Sequence, residues 1–260
     1  MKRPEACNLC GSTDGEVIAT ADPKDLLGVD LPLYPIIRCG GCGLVYAEGR
    51  KDAEFLKGLY DEGYYDGRYK GGYRGYAAQR EEGVRKSASK IEVLERFVPS
   101  KGRVLDVGCA TGLFLEAARQ AGWEVQGVEH SPFASEEARH QGLDVFTGTL
   151  KDAAYPEGRF DAVTFWGVIG HVNDPSGNVR EACRVLKPGG LLFIHTPNEE
   201  VFSEANKYKG AGWYRAPLQL YFWSEPTLGE LLRRSGFERI QNLRQRTEGN
   251  AEMIGFRGKE

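Results

Sequence analysis

The stretch RVLDVGCATG, residues 103–112, decides the fold. Its first half is a short apolar run rich in β-branched residues. Its second half is a glycine turn, Gly108-Cys109-Ala110-Thr111-Gly112. A buried strand that breaks into such a turn and opens a helix is the start of a βα unit built around a nucleotide-like ligand. Outward from this stretch the pattern keeps alternating. A helix over 112–121 follows, then a strand EVQGV, a helix over 132–140, strands LDVF and FDAVTFW, a helix over 175–186 and a strand GLLFIHT. Gly122, Gly142 and Gly236 each stand just past a helix, where a left-handed cap is needed. Ser131-Pro132 and Asp174-Pro175 read as an N-cap followed by proline at the first helical position. FERIQNLRQRT and AEMIGFRG form a closing antiparallel hairpin. Near-continuous apolar strands alternating with helices predict an α/β fold, a mostly parallel sheet with helices on both faces.

The turn also narrows the ligand. A dinucleotide fingerprint needs a second glycine so that the backbone can approach a pyrophosphate, and Ala110 stands in that place. A phosphate-binding Walker loop would end in Gly-Lys-Ser/Thr, and Leu113 follows Gly112 instead. Asp106, two residues before Gly108, is a poor neighbour for a diphosphate and a good one for a cation. S-adenosylmethionine carries a sulfonium and an ammonium, so the turn suits that ligand. Glu129 ends the next strand, where an acid accepts from both ribose hydroxyls. Glu129 serves either cofactor class; Asp106 with Ala110 separates them.

VLDVGCATGLFL, GVEHS, FDAVTFWGVIGHVNDP, REACRVLKPGGLLFIHTPN and LLRRSGF follow one another in the order and spacing of one family. Over roughly residues 100–260 the chain resembles the class I S-adenosylmethionine-dependent methyltransferases, which implies a Rossmann-like fold with an antiparallel last strand. By that resemblance Asp106, Gly108, Cys109 and Gly112 shape the methionine end of the site, and Glu129 holds the ribose with His130 beside it. Thr149 and Leu150 flank the adenine. Phe165, Trp166 and Gly167 lie near the reactive methyl. For Cys109 the residue type itself favours a small buried filler over a ligand contact, as it does for Cys183 on a helix face. Two positions depart from the family pattern: Gly170 in VIGH stands where Glu is common, and Gln219 in PLQL stands where His is common.

The four other cysteines, Cys7, Cys10, Cys39 and Cys42, form two C-x2-C pairs, each followed by a glycine that permits a knuckle turn. This is the spacing of a tetrahedral structural zinc site, in a segment with too few core residues to stand without a staple. Residues 1–50 carry five Lys/Arg against seven Asp/Glu, and the whole chain carries a net charge of −3. Both values oppose phosphate contacts, so the module is expected to dock on the catalytic domain or cover its substrate rather than bind nucleic acid. No apolar run approaches a membrane span and the start has no apolar signal region, so a cytoplasmic protein is expected. The expected layout is a zinc-binding module over 1–50, a tyrosine-rich lid and helix over 51–100, and a methyltransferase domain over 101–260.

YDEGYYDGRYKGGYRGY, residues 60–76, holds six of the twelve tyrosines and reads as a lid or as a plain linker. The helical stripe Val84, Ala88, Ile91, Leu94 and Val98 follows it. Methyl transfer to a hydroxyl needs a base, and histidine suits neutral pH. His171, after the fourth strand of the alternating run, is the first candidate, with holding its loop as the other role. His195, at the end of the fifth, is the second, with a core role as the other. Trp213, Tyr214, Arg215 and Tyr221 are expected either to wall an acceptor pocket, with Arg215 facing an anionic group, or simply to pack their insertion. The expected substrate is a small molecule such as a sugar, glycan precursor or natural-product intermediate, methylated on O or N. A zinc-containing ribosomal RNA methyltransferase, a non-catalytic cofactor-binding regulator and a nicotinamide oxidoreductase are the alternatives. Oligomeric state is not legible.

Overall fold

The computed structural model describes residues 5–28, 30–49, 55, 58–66, 80–200, 214–243 and 249–259. RVLDV forms β4 (Arg103–Val107), with Val104, Leu105 and Val107 buried. The run continues through α5 (Leu113–Gln120), β5 (Glu124–Glu129), α6 (Pro132–His140), β6 (Val145–Thr147), β7 (Phe160–Trp166), α7 (Pro175–Val185) and β8 (Leu186–Pro197). After β9 (Tyr221–Phe222), α8 (Glu225–Arg234) leads into the hairpin β10 (Phe237–Asn242) and β11 (Asn250–Arg257). The seven-stranded sheet has the order β10-β11-β8-β7-β4-β5-β6. Strands β6, β5, β4, β7 and β8 run parallel; β11 pairs antiparallel with β8 and β10 with β11.

Alternation along β8 shows how the layers close. Leu192 and Ile194 pack on one face with Val179, Val185 and Leu228, while Leu191 and Phe193 pack on the other with Leu94, Phe114 and Leu115. The caps are where composition put them. The Ser131 hydroxyl accepts from the Ala134 amide, the Asp174 carboxylate from the Gly177 amide, and Gly122, Gly142 and Gly236 adopt φ of 92°, 69° and 96°. The stripe from Val84 to Val98 is not one helix. It divides into α3 (Arg80–Lys86) and α4 (Ala88–Phe97) at Ser87, whose hydroxyl donates to the Gly83 carbonyl. Such back-bonding to the preceding turn bends helices.

The N-terminal part is a second sheet, β1 (Gly15–Ala21), β2 (Tyr34–Cys39) and β3 (Val45–Ala47), with the short helix α1 (Lys24–Leu27) between its first two strands. It takes its fourth strand from β9, which pairs antiparallel with β3 through Val45–Phe222 and Tyr46–Tyr221. The cysteine-rich segment is therefore knitted into the larger body by main-chain hydrogen bonds as well as side chains. Of the tyrosine-rich stretch, α2 (Glu62–Asp66) and Tyr60 are described, with Tyr64 and Tyr65 buried. Tyr69, Tyr73 and Tyr76 lie outside the described residues, as does Trp213. Among the described residues no helix is long and apolar enough to cross a membrane.

Candidate cofactor and acceptor cavity

The sheet order reverses between β4 and β7, and a cavity of about 920 Å³ opens beyond the carboxyl ends of these strands. Open α/β sheets bind ligands in this crevice. Asp106, Gly108, Cys109, Glu129, His130, Thr149, Leu150, Trp166 and Gly167 all line it. Gly108 has φ 71°, and a Cβ there would lie 2.5 Å from a methyl of Val168, so only glycine lets the turn pass so close to the loop after β7. Ala110, at φ 50°, is curled left-handed as well, which aims its amide at Glu129 Oε2, 2.8 Å away. Glu129 Oε1 accepts from the Ser131 amide at 2.8 Å. Burial pushes the Glu129 carboxyl up and these amides draw it back down; an ionised carboxylate keeps lone pairs for further donors.

Asp106 is fully enclosed, and burial pushes it up to about 7 against the pull of the Thr164 hydroxyl, 2.7 Å away, and of the Lys90 charge. Lys90 comes from α4, lines the cavity and holds its ammonium 4.8 Å from the centre of the Trp166 ring. Burial lowers its pKa, partly offset by Asp106. Among the described residues nothing accepts a hydrogen bond from this ammonium. Sequence reading missed Lys90, which lies off the apolar stripe and carries no local signal of its role.

His171, Val172, Asn173, Tyr60, Tyr64 and Tyr65 also line the cavity. Tyr60 Oη lies 2.9 Å from the Leu218 carbonyl and 3.0 Å from His171 Nδ1. A carbonyl only accepts, so the tyrosine proton goes to Leu218. Nδ1 then carries a proton and donates to Tyr60, which leaves the Nε2 lone pair unprotonated. Burial, reinforced by the charge of Arg215 and opposed by the Leu218 carbonyl, lowers His171 to about 4, so the ring is neutral near pH 7. The Tyr60 carbonyl accepts from the Ser131 hydroxyl at 2.6 Å, which ties the same residue to the Glu129 side.

A family model described as "Methyltransferase domain" matches residues 76–242. The chain belongs to the methyltransferase-domain family. Curated relatives include a ubiquinone biosynthesis O-methyltransferase of Xanthomonas oryzae pv. oryzae, 41% identical over 103 residues, covering 37% of this chain and 43% of that protein. Another, of Cereibacter sphaeroides, carries the same description and is 33% identical over 156 residues, covering 55% of this chain and 63% of that protein. The match thus spans less than two thirds of either relative's length. A solved S-adenosylmethionine-dependent methyltransferase of Thermotoga maritima superposes with a TM-score of 0.52 at 26% identity, covering 70% of this chain and 93% of that one.

Several expected site residues of the methyltransferase domain fall elsewhere. Phe165 is wholly buried in the core because alternation along β7 turns it away from the cavity that Trp166 reaches. Gly112 caps α5 at φ 82° and packs under Leu143, shaping the turn without lining the cavity. His195 is not in the lining; it stands 3.9 Å from Glu252 on the neighbouring strand, and burial lowers its pKa. Tyr214 packs edge-on against Phe222 in the core of the small sheet, and Tyr221 is buried with its hydroxyl on the Asn173 carbonyl at 3.1 Å. These two aromatic residues serve the joint between the two sheets, and neither they nor Arg215 line the cavity.

The sulfur atoms of Cys7, Cys10, Cys39 and Cys42 all lie within 4.8 Å of one another. The Cys7–Cys42 and Cys10–Cys39 separations are 3.7 and 3.5 Å. Four thiolates about 2.3 Å from one zinc ion would stand roughly 3.8 Å apart along each tetrahedral edge, so the donor set fits that metal. Burial pushes the Cys7 thiol up to about 11 and raises Cys42 too, so a cation would be needed to hold these two as thiolates, while at Cys39 hydrogen bonds from the second knuckle and Cys10 outweigh burial and lower the thiol.

Proposed function

We propose that the protein transfers a methyl group from S-adenosylmethionine to a small-molecule acceptor, with oxygen methylation favoured, and that its four cysteines hold a structural zinc ion. One observation carries the reading: a single cavity is lined by the enclosed Asp106 and Glu129 and by a neutral His171. The volume lies near the top of the range for small-ligand sites, about 300–1,000 Å³, and leaves room for an acceptor beside the cofactor. The ubiquinone-pathway relatives support an oxygen acceptor; the sugar, glycan-precursor and natural-product classes remain within the proposal.

When bound, the cofactor supplies an activated methyl on a positively charged sulfur. The chain's residues do the rest. Asp106 would answer the cofactor's cationic groups, and Lys90 would bind its carboxylate. Glu129 would accept from the ribose hydroxyls, and Leu150 and Thr149 would flank the adenine. Tyr64 and Tyr65 pack with Tyr60 over the cavity and exclude water. His171 Nε2 would take the acceptor's proton as the acceptor oxygen bonds the methyl carbon and the carbon–sulfur bond breaks, with neutral S-adenosylhomocysteine as the leaving group. Tyr60 fixes the histidine tautomer that allows this.

The test uses S-adenosylmethionine labelled in its methyl group, incubated with the purified protein and a cell lysate. Label in the low-mass pool is the expected result. Label released only by ribonuclease would overturn the small-molecule reading, and undetectable binding of S-adenosylhomocysteine in calorimetry would overturn the cofactor assignment.

A further inference from the structure

The first cysteine knuckle does more than staple its own segment. Asn8, between Cys7 and Cys10, reaches across to the helix that starts beside the cavity. Its Nδ2 donates to Asp174 Oδ1 at 2.9 Å, its Oδ1 accepts from the Ser176 amide at 2.9 Å, and its carbonyl accepts from the Ser176 hydroxyl at 2.8 Å. The first amides of a helix have no partner inside it. In α7 Pro175 has none to offer, Gly177 is served by Asp174, and Ser176 is served by Asn8. The cap of α7 is therefore shared between the cysteine module and the methyltransferase domain. Leu9, next in the knuckle, adds a carbonyl that accepts from Arg234 of α8.

What this cap anchors is the acceptor wall. His171, Val172, Asn173, Asp174, Gly177 and Asn178 line the cavity. The same loop is held from its other side by the strand the module borrows. The Gly170 carbonyl accepts from the Leu220 and Tyr221 amides, and Tyr221 donates to Asn173 while pairing with Tyr46. Asp106 and Glu129 sit on β4 and β5 and make none of these hydrogen bonds; they bond instead to Thr164, Ala110 and Ser131. We infer that the first cysteine knuckle, acting through Asn8, positions the His171–Asn173 wall, so that the metal-holding module sets acceptor geometry independently of cofactor binding. Asn8 is a positioning residue, and the inference rests on the reading of this cavity as a methyl-transfer site.

Hydrogen exchange of full-length Asn8→Ala and Asn8→Asp, each checked for retained zinc, tests this without any acceptor. Asn8→Ala should speed exchange at 168–178 about fivefold, as loss of one ordinary cap does. Asn8→Asp should do more, because it removes the amide that donates to Asp174 and sets a carboxylate against it. The His171 imidazole resonances should shift in both variants, while exchange at 103–112 and affinity for S-adenosylhomocysteine stay unchanged. Unaltered exchange at 168–178 would overturn the inference. So would loosening that extends equally to 103–112, which would make the knuckle a general staple. Failure of the wild type to bind S-adenosylhomocysteine would instead sink the methyltransferase reading, leaving the exchange pattern as a separate result.

Discussion

Gly170 and Gln219 meet beside the His171 loop: a Cβ on Gly170 would lie 3.3 Å from Gln219 Nε2 and 2.8 Å from the Tyr221 carbonyl. The two departures from the family pattern are thus one local arrangement, although 49 positions separate them. Gln219 is buried and spends its amide on the Tyr221 carbonyl at 3.3 Å. Any side chain at 170 pushes against backbone that carries β9. Gly170→Ala should cost about 1–3 kcal/mol, the usual range for overpacking, read as a lowered thermal unfolding midpoint. A midpoint equal to wild type would show that the loop yields.

His171→Ala should lower label transfer about a hundredfold or more while S-adenosylhomocysteine affinity holds, the size expected for a lost general base. Tyr60→Phe removes the group that receives the Nδ1 proton and should cost less. The imidazole should remain neutral on titration from pH 8 to 5, because its folded pKa is about 4. The sign for stability follows. The unfolded histidine, near 6.5, binds a proton first, so His171 contributes stability above about pH 6.5 that is lost as pH falls toward 4. An imidazole titrating near 6.5 in the folded protein would contradict the enclosed geometry.

Asp106 predicts a proton-linked cofactor. Its folded pKa of about 7 lies far above the ordinary carboxylate range, and a cation beside it favours the ionised form. Binding at pH 6 should therefore release a proton, and affinity should fall toward lower pH, by at most about tenfold per unit. Calorimetry in buffers of different ionisation enthalpy measures this. Asp106→Asn should abolish the proton release; if release persists, another group carries the linkage.

Much of this arrangement was legible in the residues. The strand run, the caps at Ser131 and Asp174 and the glycine turn are local patterns with local causes, and they place Asp106 and Glu129 at strand ends. The His171–Asn173 wall was less legible because it depends on which residues a long connection brings back. Tyr214 and Tyr221 look like pocket aromatics in sequence, yet they pack the joint with the cysteine module. That joint forms when β9 adds to β3, a pairing across 174 residues that no short-range pattern announces. Tyr60 and Lys90 escaped for the same reason: each gains its role from a partner more than a dozen residues away.

The zinc assignment predicts one metal ion per chain, lost together with all four thiolates' order. Cys10→Ser should abolish stoichiometric zinc and lower the unfolding midpoint by several degrees, since binding energy at such a site is folding energy. Cobalt in place of zinc should give the visible bands of a tetrahedral tetrathiolate. Zinc-free wild type with an unchanged midpoint would refute the assignment.

Lys90 gives the sharpest test of how the cavity is divided. Its ammonium stands over Trp166, near Asp106, with no acceptor among the described residues. If it binds the cofactor carboxylate, Lys90→Met should weaken S-adenosylhomocysteine about tenfold or more, a charge-assisted hydrogen bond's worth. 5′-Methylthioadenosine lacks the amino-acid end and should bind wild type and variant alike. Equal weakening of both ligands would mean that Lys90 only holds the Trp166 wall in place. Weakening of the first alone assigns the ammonium to the carboxylate, and fixes which end of the cavity faces β4 and which is left for the acceptor beside His171.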